Sequence, residues 1–317
     1  MDHTTEPPRH THTPPGGGAG VGRAPGTFGE LLQGALPGNG HDFLVTFPIQ
    51  NWSTALFRTT PGRRDVEVRP AHKHKSRRLA QAALHHLGVT DGGILTLHGA
   101  LPEGKGLASS SADLVATARA VADAHGRHLD PATIETLLRG IEPTDGVMYE
   151  GIVAFYHREV RLREVLGHLP PLTVIAHDEG GAVDTIGFNR TRKPHGPAER
   201  EEYARLLDTL AAAVQDHDLP TVGRVATRSA ELNRLHRPRR DFAPMLRACR
   251  DIDGLGLVVA HSGTALGVLL DHCDPEHDLK TAHVRAACAG LPGTVDVHRS
   301  LSAHDPTTPT AYLGRTA

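Results

Sequence analysis

Cysteine is scarce in this chain. Its 317 residues include only Cys249, Cys273 and Cys288, widely spaced and odd in number. No C-x-x-C pair occurs, so neither a disulfide framework nor a paired-cysteine motif is indicated, and a reducing cytoplasm is the simplest setting. An excess of one charge is also missing, with 34 Lys+Arg against 36 Asp+Glu. That balance gives no electrostatic case for nucleic acid or an anionic membrane as the main partner. No apolar run reaches the roughly 18 residues of a membrane helix. The start, Met1 to Glu6, has no hydrophobic stretch, so a secretory leader is not expected. H-E-x-x-H is absent too, although there are 23 histidines. Zinc sites need convergent ligands at characteristic spacings, so solvated surface histidines are expected here rather than a structural metal.

What is present suffices for a sizeable core in one large or two medium domains. Residues 1–20 are rich in Pro, Gly, His and Thr, and this composition predicts a disordered tail. Strand patterns follow at Asp42–Phe47, Trp52–Thr59, Asp65–Arg69 and Ile94–His98. Leu79, Ala83, Leu84 and Leu87 sit at helical spacing within Arg77–Leu87. A long Ala-rich helix is expected over Ala112–His125, with Gly126 placed to stop it. Asp130-Pro131 reads as an N-cap with Pro at the first helical position.

Strand-like blocks cover Gly151–His157 and Leu172–His177, and Pro170-Pro171 marks the expected domain boundary. The second half alternates helices (about 197–216, 221–236, 241–251, 276–290) with strands (about 255–260, 265–270, 294–298). The order predicts α+β layers and not a doubly wound parallel sheet.

The most informative stretch is Pro102-Glu-Gly-Lys-Gly-Leu-Ala-Ser-Ser-Ser-Ala-Asp113, a Gly/Ser loop running into the long helix. A helix start carries unpaired N–H groups and the positive end of the dipole, and small residues there let an anion approach the backbone. The plainer alternative is a serine-capped helix after a turn. Gly99 to Lys105 fits the first seven positions of a Walker A loop, but the eighth, Gly106, has no hydroxyl. The run Gly16–Gly26 never satisfies G-x-G-x-x-G. Gly-x-Ser-x-Gly is absent around Ser109–Ser111 and Ser262, against a serine hydrolase.

Three further segments carry polar residues in loop-like settings. Ala24-Pro-Gly-Thr-Phe-Gly-Glu-Leu-Leu-Gln-Gly34 reads locally as a Gly/Pro turn before a strand. Ile141-Glu-Pro-Thr-Asp-Gly-Val-Met-Tyr149 places Glu142 and Asp145 three residues apart around a Pro-Thr turn. Such a pair suits either an Asx-type turn or phosphoryl transfer, with one carboxylate for magnesium and one for the acceptor hydroxyl. Gly254 to Gly267 holds two apolar runs around Ser262-Gly263-Thr264, as in a hairpin.

Taken in order, Ala24–Gly34, the serine loop and Gly254–Gly267 resemble the three motifs of the GHMP kinases. The serine loop matches that family's Pro-x3-Gly-Leu-Gly/Ala-Ser-Ser-Ser/Ala pattern, and the first segment its Gly-Glu motif. The Pro-Gly-Thr-x-Gly-Glu-Leu-x-Gln-Gly wording, Pro-Thr-Asp-Gly and Asp184 to Arg190 resemble the branch that phosphorylates L-threonine in cobalamin synthesis and salvage.

The resemblance implies a two-domain GHMP kinase fold. It has an N-terminal ATP-binding, ribosomal-S5-like part (21–169) and a ferredoxin-like C-terminal part (170–317). It implies ATP and Mg2+, with Lys105, Gly106, Leu107, Ala108, Ser109, Ser110 and Ser111 around the phosphates. Ser110 and Glu142 would serve the metal, and Asp145 would act on the acceptor hydroxyl. Gly29, Glu30, Thr144, Ser262, Gly263 and Thr264 would line the substrate side. The expected reaction is cytoplasmic phosphorylation of L-threonine, or of L-serine, L-homoserine or a related alcohol. ATP and a small hydroxy amino acid are the expected partners, without nucleic acid or membrane, and a homodimer is left open.

Overall fold

The computed structural model describes residues 18–38, 40–181, 195–261, 263–303 and 305. The expectations for residues 1–17, for Asp184 to Arg190 and for Ser262 lie outside them.

Two long antiparallel strands form the centre, β1 (Ala19–Ala35) and β2 (Asp42–Thr59). The expected Gly/Pro turn at 24–34 is therefore inside a strand. Its irregularity survives as register shifts at Pro25/Gly26, Thr27/Glu30 and Glu30/Leu32. The two strands expected at 42–47 and 52–59 are likewise one. Pro48 breaks the sequence pattern but sits opposite Thr27, at the shifted register, where a missing N–H is tolerated.

β3 (Val66–Arg69) and β4 (Gly93–Gly99) pair in parallel, joined by helix α1 (His74–His86), and β4 lies against β2. Helix α2 (Ser109–Ala124) packs on the central hairpin. Its alanines and the glycines of β1 permit close approach, since a Cβ on Gly22 would lie 2.0 Å from the Ala116 carbonyl oxygen. Helix α3 (Pro131–Leu138) starts as expected, with the Thr133 N–H donating to Asp130 Oδ1 at 2.9 Å. β5 (Ile152–Tyr156) pairs with β2 and with β6 (Arg161–Gly167). β6 has no counterpart among the expected strands, because it is a mostly exposed, charged outer strand without apolar alternation.

The second half contributes β7 (Leu172–Asp178), α4 (Pro197–Gln215), α5 (Leu219–His236), α6 (Phe242–Asp251), β8 (Gly256–Val259), β9 (Ala265–Asp271), α7 (His277–Cys288) and β10 (Thr294–Arg299). Their sheet order, β10-β7-β9-β8, is the split βαβ order of ferredoxin-like folds. β8 continues the sheet onto β1 through the pair Glu30 and Val259, so one mixed sheet crosses residue 170. Among the described residues no helix is long and apolar enough to cross a membrane.

Candidate active site

The loop from Pro102 to Ser111 is shaped by residues in left-handed backbone. Gly104, Gly106 and Ala108 have φ of 74°, 82° and 55°. Ala108 stands at the N-cap of α2, and among the described residues no side chain caps the helix. The serines are thus not the cap; they occupy the first turn, and their hydroxyls turn elsewhere. Ser110 Oγ donates to Glu142 Oε1. Ser111 Oγ donates to Asp145 Oδ2 at 3.2 Å and accepts the Asp145 N–H at 3.0 Å. The first-turn N–H groups, with the positive end of the helix dipole, are left without a side-chain cap beside two carboxylates.

Those carboxylates have different surroundings. Burial pushes the Asp145 carboxyl up to about 6 from 3.8; the Ser111 hydroxyl opposes the rise and the Glu142 charge adds to it. Glu142 is tied to the Lys75 ammonium. The donors gathered here are a hydroxyl and two carboxylates, the oxygen set that suits magnesium. Ser110 and Glu142, already in contact, are the pair that would hold it.

The other motifs converge on the same loop. Gly29 N–H donates to the Gly106 carbonyl and Thr27 N–H to that of Leu107, each at 3.3 Å. Gly29 has φ of 55°, and a Cβ there would lie 2.4 Å from the Val259 carbonyl oxygen. From the opposite side Gly263 presses on the loop so closely that a Cβ would lie 1.9 Å from the Lys105 carbonyl oxygen. Thr264 Oγ1 donates to Asp178, which also binds Lys105 Nζ at 2.6 Å. Gly263 and Thr264 therefore stand against the serine loop through Lys105.

Leu107 is a core anchor, buried among apolar side chains. Glu30 is buried, with Gln33 Nε2 at 3.4 Å. Thr144 is buried beside Asp145; its N–H donates to the His157 carbonyl at 3.1 Å, and its hydroxyl has no hydrogen-bond partner among the described residues. His157 stacks edge-on against His261, with ring centres 4.8 Å apart. Both line a cavity that also touches Gln33, Phe43 and Asn233. The cavity adjoins the Thr144–Asp145 turn through His157, whose carbonyl accepts the Thr144 N–H.

Four charged residues of the site were not anticipated. Lys75 holds Glu142, and Lys73 binds Asp113 at 2.6 Å. Asp113 also accepts from Ser53 Oγ at 2.5 Å, and Asp178 clamps Lys105. The lysines belong to the basic run Lys73–Arg78, the one sequence signal that could have pointed to them. Asp178 ends a strand and gives no such signal.

Residues 74–156 match the family described as GHMP kinases N terminal domain. The chain is 29% identical over 252 residues to an L-threonine kinase of Citrobacter freundii, covering 79% of this chain and 86% of that protein. It is 27% identical over 265 residues to an L-threonine kinase of Salmonella typhimurium, covering 83% and 86%. The crystal structure of a homoserine kinase from Cytophaga hutchinsonii superposes with a TM-score of 0.72 at 16% identity, covering 92% of this chain and 98% of that one. The resemblance to the GHMP kinases read from the motifs thus holds, and the α+β fold is theirs.

Proposed function

We propose that this chain, with its GHMP kinase N-terminal match and fold, transfers the γ-phosphate of ATP to the side-chain hydroxyl of L-threonine, giving O-phospho-L-threonine. The observation that carries the reading is the uncapped start of α2, whose Ser110 and Ser111 hydroxyls lie on Glu142 and Asp145. The acceptor rests on the two L-threonine kinases it resembles.

The mechanism follows from the placement of the groups. The backbone of residues 105–111 and the α2 dipole receive the phosphate oxygens. Lys105, fixed by Asp178 on its far side, adds a positive charge at the rim. Ser110 and Glu142 would hold Mg2+, which when bound neutralises phosphate charge. Asp145 faces the acceptor hydroxyl. A carboxyl poised near 6 is ionised at neutral pH yet basic enough to accept a proton. The acceptor oxygen bonds to the γ-phosphorus as the bond to the β-bridging oxygen breaks; the proton passes to Asp145 and ADP departs. Most of the acceleration comes from positioning and electrostatics.

The test is product identification after incubation with ATP, Mg2+ and a panel of L-threonine, L-serine, L-homoserine and simple alcohols. O-Phospho-L-threonine as the dominant product is the expected result. Preference for another hydroxyl would move the assignment within the same chemistry. ATP turnover with none of the panel phosphorylated would overturn the acceptor class.

A further inference from the structure

On the α4–α5 side of the cavity stands a cluster that the proposed reaction does not use. His195 Nδ1 lies 2.8 Å and His236 Nε2 2.9 Å from the same oxygen, Glu199 Oε1. The three candidate ligand atoms all lie within 4.8 Å of one another. His195 lies just before Gly196, the N-cap of α4, Glu199 is on the first turn of that helix, and His236 is the last residue of α5. The two rings stand edge to face with centres 4.8 Å apart. Although burial opposes ionisation, the two imidazoles hold the Glu199 carboxyl below its ordinary value.

We propose that His195, Glu199 and His236 form a binding site for one divalent transition-metal ion of the zinc class, separate from the magnesium at the serine loop. Two imidazole nitrogens and one carboxylate oxygen are a zinc-type donor set, and three protein ligands leave one position open. Bond lengths of about 2.0–2.2 Å put tetrahedral ligands about 3.3 Å apart; each imidazole nitrogen stands 2.8–2.9 Å from the carboxylate oxygen, so a small outward shift reaches that spacing.

A second, independent feature points to a ligand at the same place. Asn233, one turn before His236 on α5, is 2% exposed and lines the cavity. Its Nδ2 donates to Gln33 Oε1 at 2.9 Å, while its own Oδ1 has no hydrogen-bond partner among the described residues. A buried acceptor left unpaired is costly, and a metal-bound water would satisfy it. Arg158, the cation that also lines the cavity, is already paired with Asp42. Because His195 and His236 line the cavity, the open position of the metal would face it, and His157, another lining residue, accepts the N–H of Thr144, the neighbour of Asp145. The carboxylate of a small amino acid would bind there; this occupant rests on the kinase reading, whereas the metal site does not.

The experiment uses the full chain, stripped with chelator and titrated with Zn2+ against a chromogenic competitor, alongside Glu199→Gln and His236→Gln. Wild type should bind one equivalent that both variants lose or bind at least about 100-fold more weakly, the upper range for losing even an outer-shell partner. Co2+ in place of Zn2+ should give the intense visible bands of a four-coordinate site in wild type only. Circular dichroism confirms the fold of each variant; His236, only partly buried at a helix end, is the milder change. Equal Zn2+ binding by wild type and folded variants would overturn the site, leaving the cluster as a hydrogen-bonded pin. L-Threonine phosphorylation, assayed in parallel, separates the two readings. Phosphorylation with no variant-sensitive Zn2+ binding sinks the metal site alone. Variant-sensitive Zn2+ binding without phosphorylation sinks the acceptor assignment alone.

Discussion

Ser110 and Ser111 are adjacent, yet they have different jobs because a helix turns about 100° per residue. Ser110 is exposed and reaches Glu142; Ser111 is buried and locks Asp145 through two hydrogen bonds. Ser110→Ala should therefore leave the melting temperature nearly unchanged while lowering turnover by about 10²-fold, as for one lost electrostatic stabiliser. Wild-type turnover in the purified variant would remove the loop from the phosphate site. Asp145 carries a prediction of opposite sign for stability. Its folded value of about 6 lies above the ordinary 3.8, so the folded state holds the proton more tightly. That contribution is full below about pH 4 and is lost as pH rises through 6. Asp145→Asn resembles the protonated form, so without nucleotide and magnesium it should be more stable than wild type at pH 8, by up to about 3 kcal/mol. The gap should close at pH 4, while turnover falls by about 10²–10⁴-fold. Melting curves at the two pH values read the first effect and single-turnover phosphorylation the second. A variant less stable than wild type at pH 8 would show that the Asp145 charge is compensated.

At the scale of elements, the site is an assembly of backbone approaches. The α2 start is shaped by left-handed residues, β1 brings Gly29 under it, and the β8–β9 connection brings Gly263 over it. Gly263→Ala would drive a methyl group into the Lys105 carbonyl. It should cost about 2 kcal/mol of stability, typical of forced overpacking, and raise the KM for ATP. Gly290→Ala, where no atom of the described residues lies within 4 Å of the added carbon, should stay within about 0.5 kcal/mol as the control. Equal behaviour of the two variants would mean that the two loops do not rest on each other. These elements differed in legibility. Helices such as α4 to α7 were readable to within two residues, because apolar spacing and caps are local. The β1 segment read as a turn, because Gly and Pro there serve register shifts that only the partner strand reveals.

For the whole molecule, the continuity of the sheet has a mechanical consequence. The larger of two core clusters joins residues of both halves, from Leu31 and Phe43 to Leu207 and Val222, beside a smaller one within the second half around Ile175, Phe242 and Met245. Gln33 ties β1 to α5 through Ser229 and Asn233. Unfolding should therefore be one transition. Fluorescence of Trp52, on β2 and the only tryptophan, should follow the same denaturant curve as far-ultraviolet circular dichroism, which reports mainly the helices. Loss of helix signal while Trp52 remains native would show that the second half unfolds by itself.

The sequence by itself determined the serine loop, the helix behind it, the Glu142–Asp145 pair and the class of fold, since these follow from short-range spacing, turn residues and motif order. Tertiary structure alone decided that the serines face carboxylates and do not cap their helix. It also brought Lys75 to Glu142, Asp178 to Lys105, and His195 to His236 across 41 residues. The physical reason is that a residue's neighbours along the chain fix its backbone, whereas its charge partners are chosen by burial and strand pairing between distant segments. Lysines and histidines, which look alike in a solvated loop and in a site, are the residues for which that choice matters most.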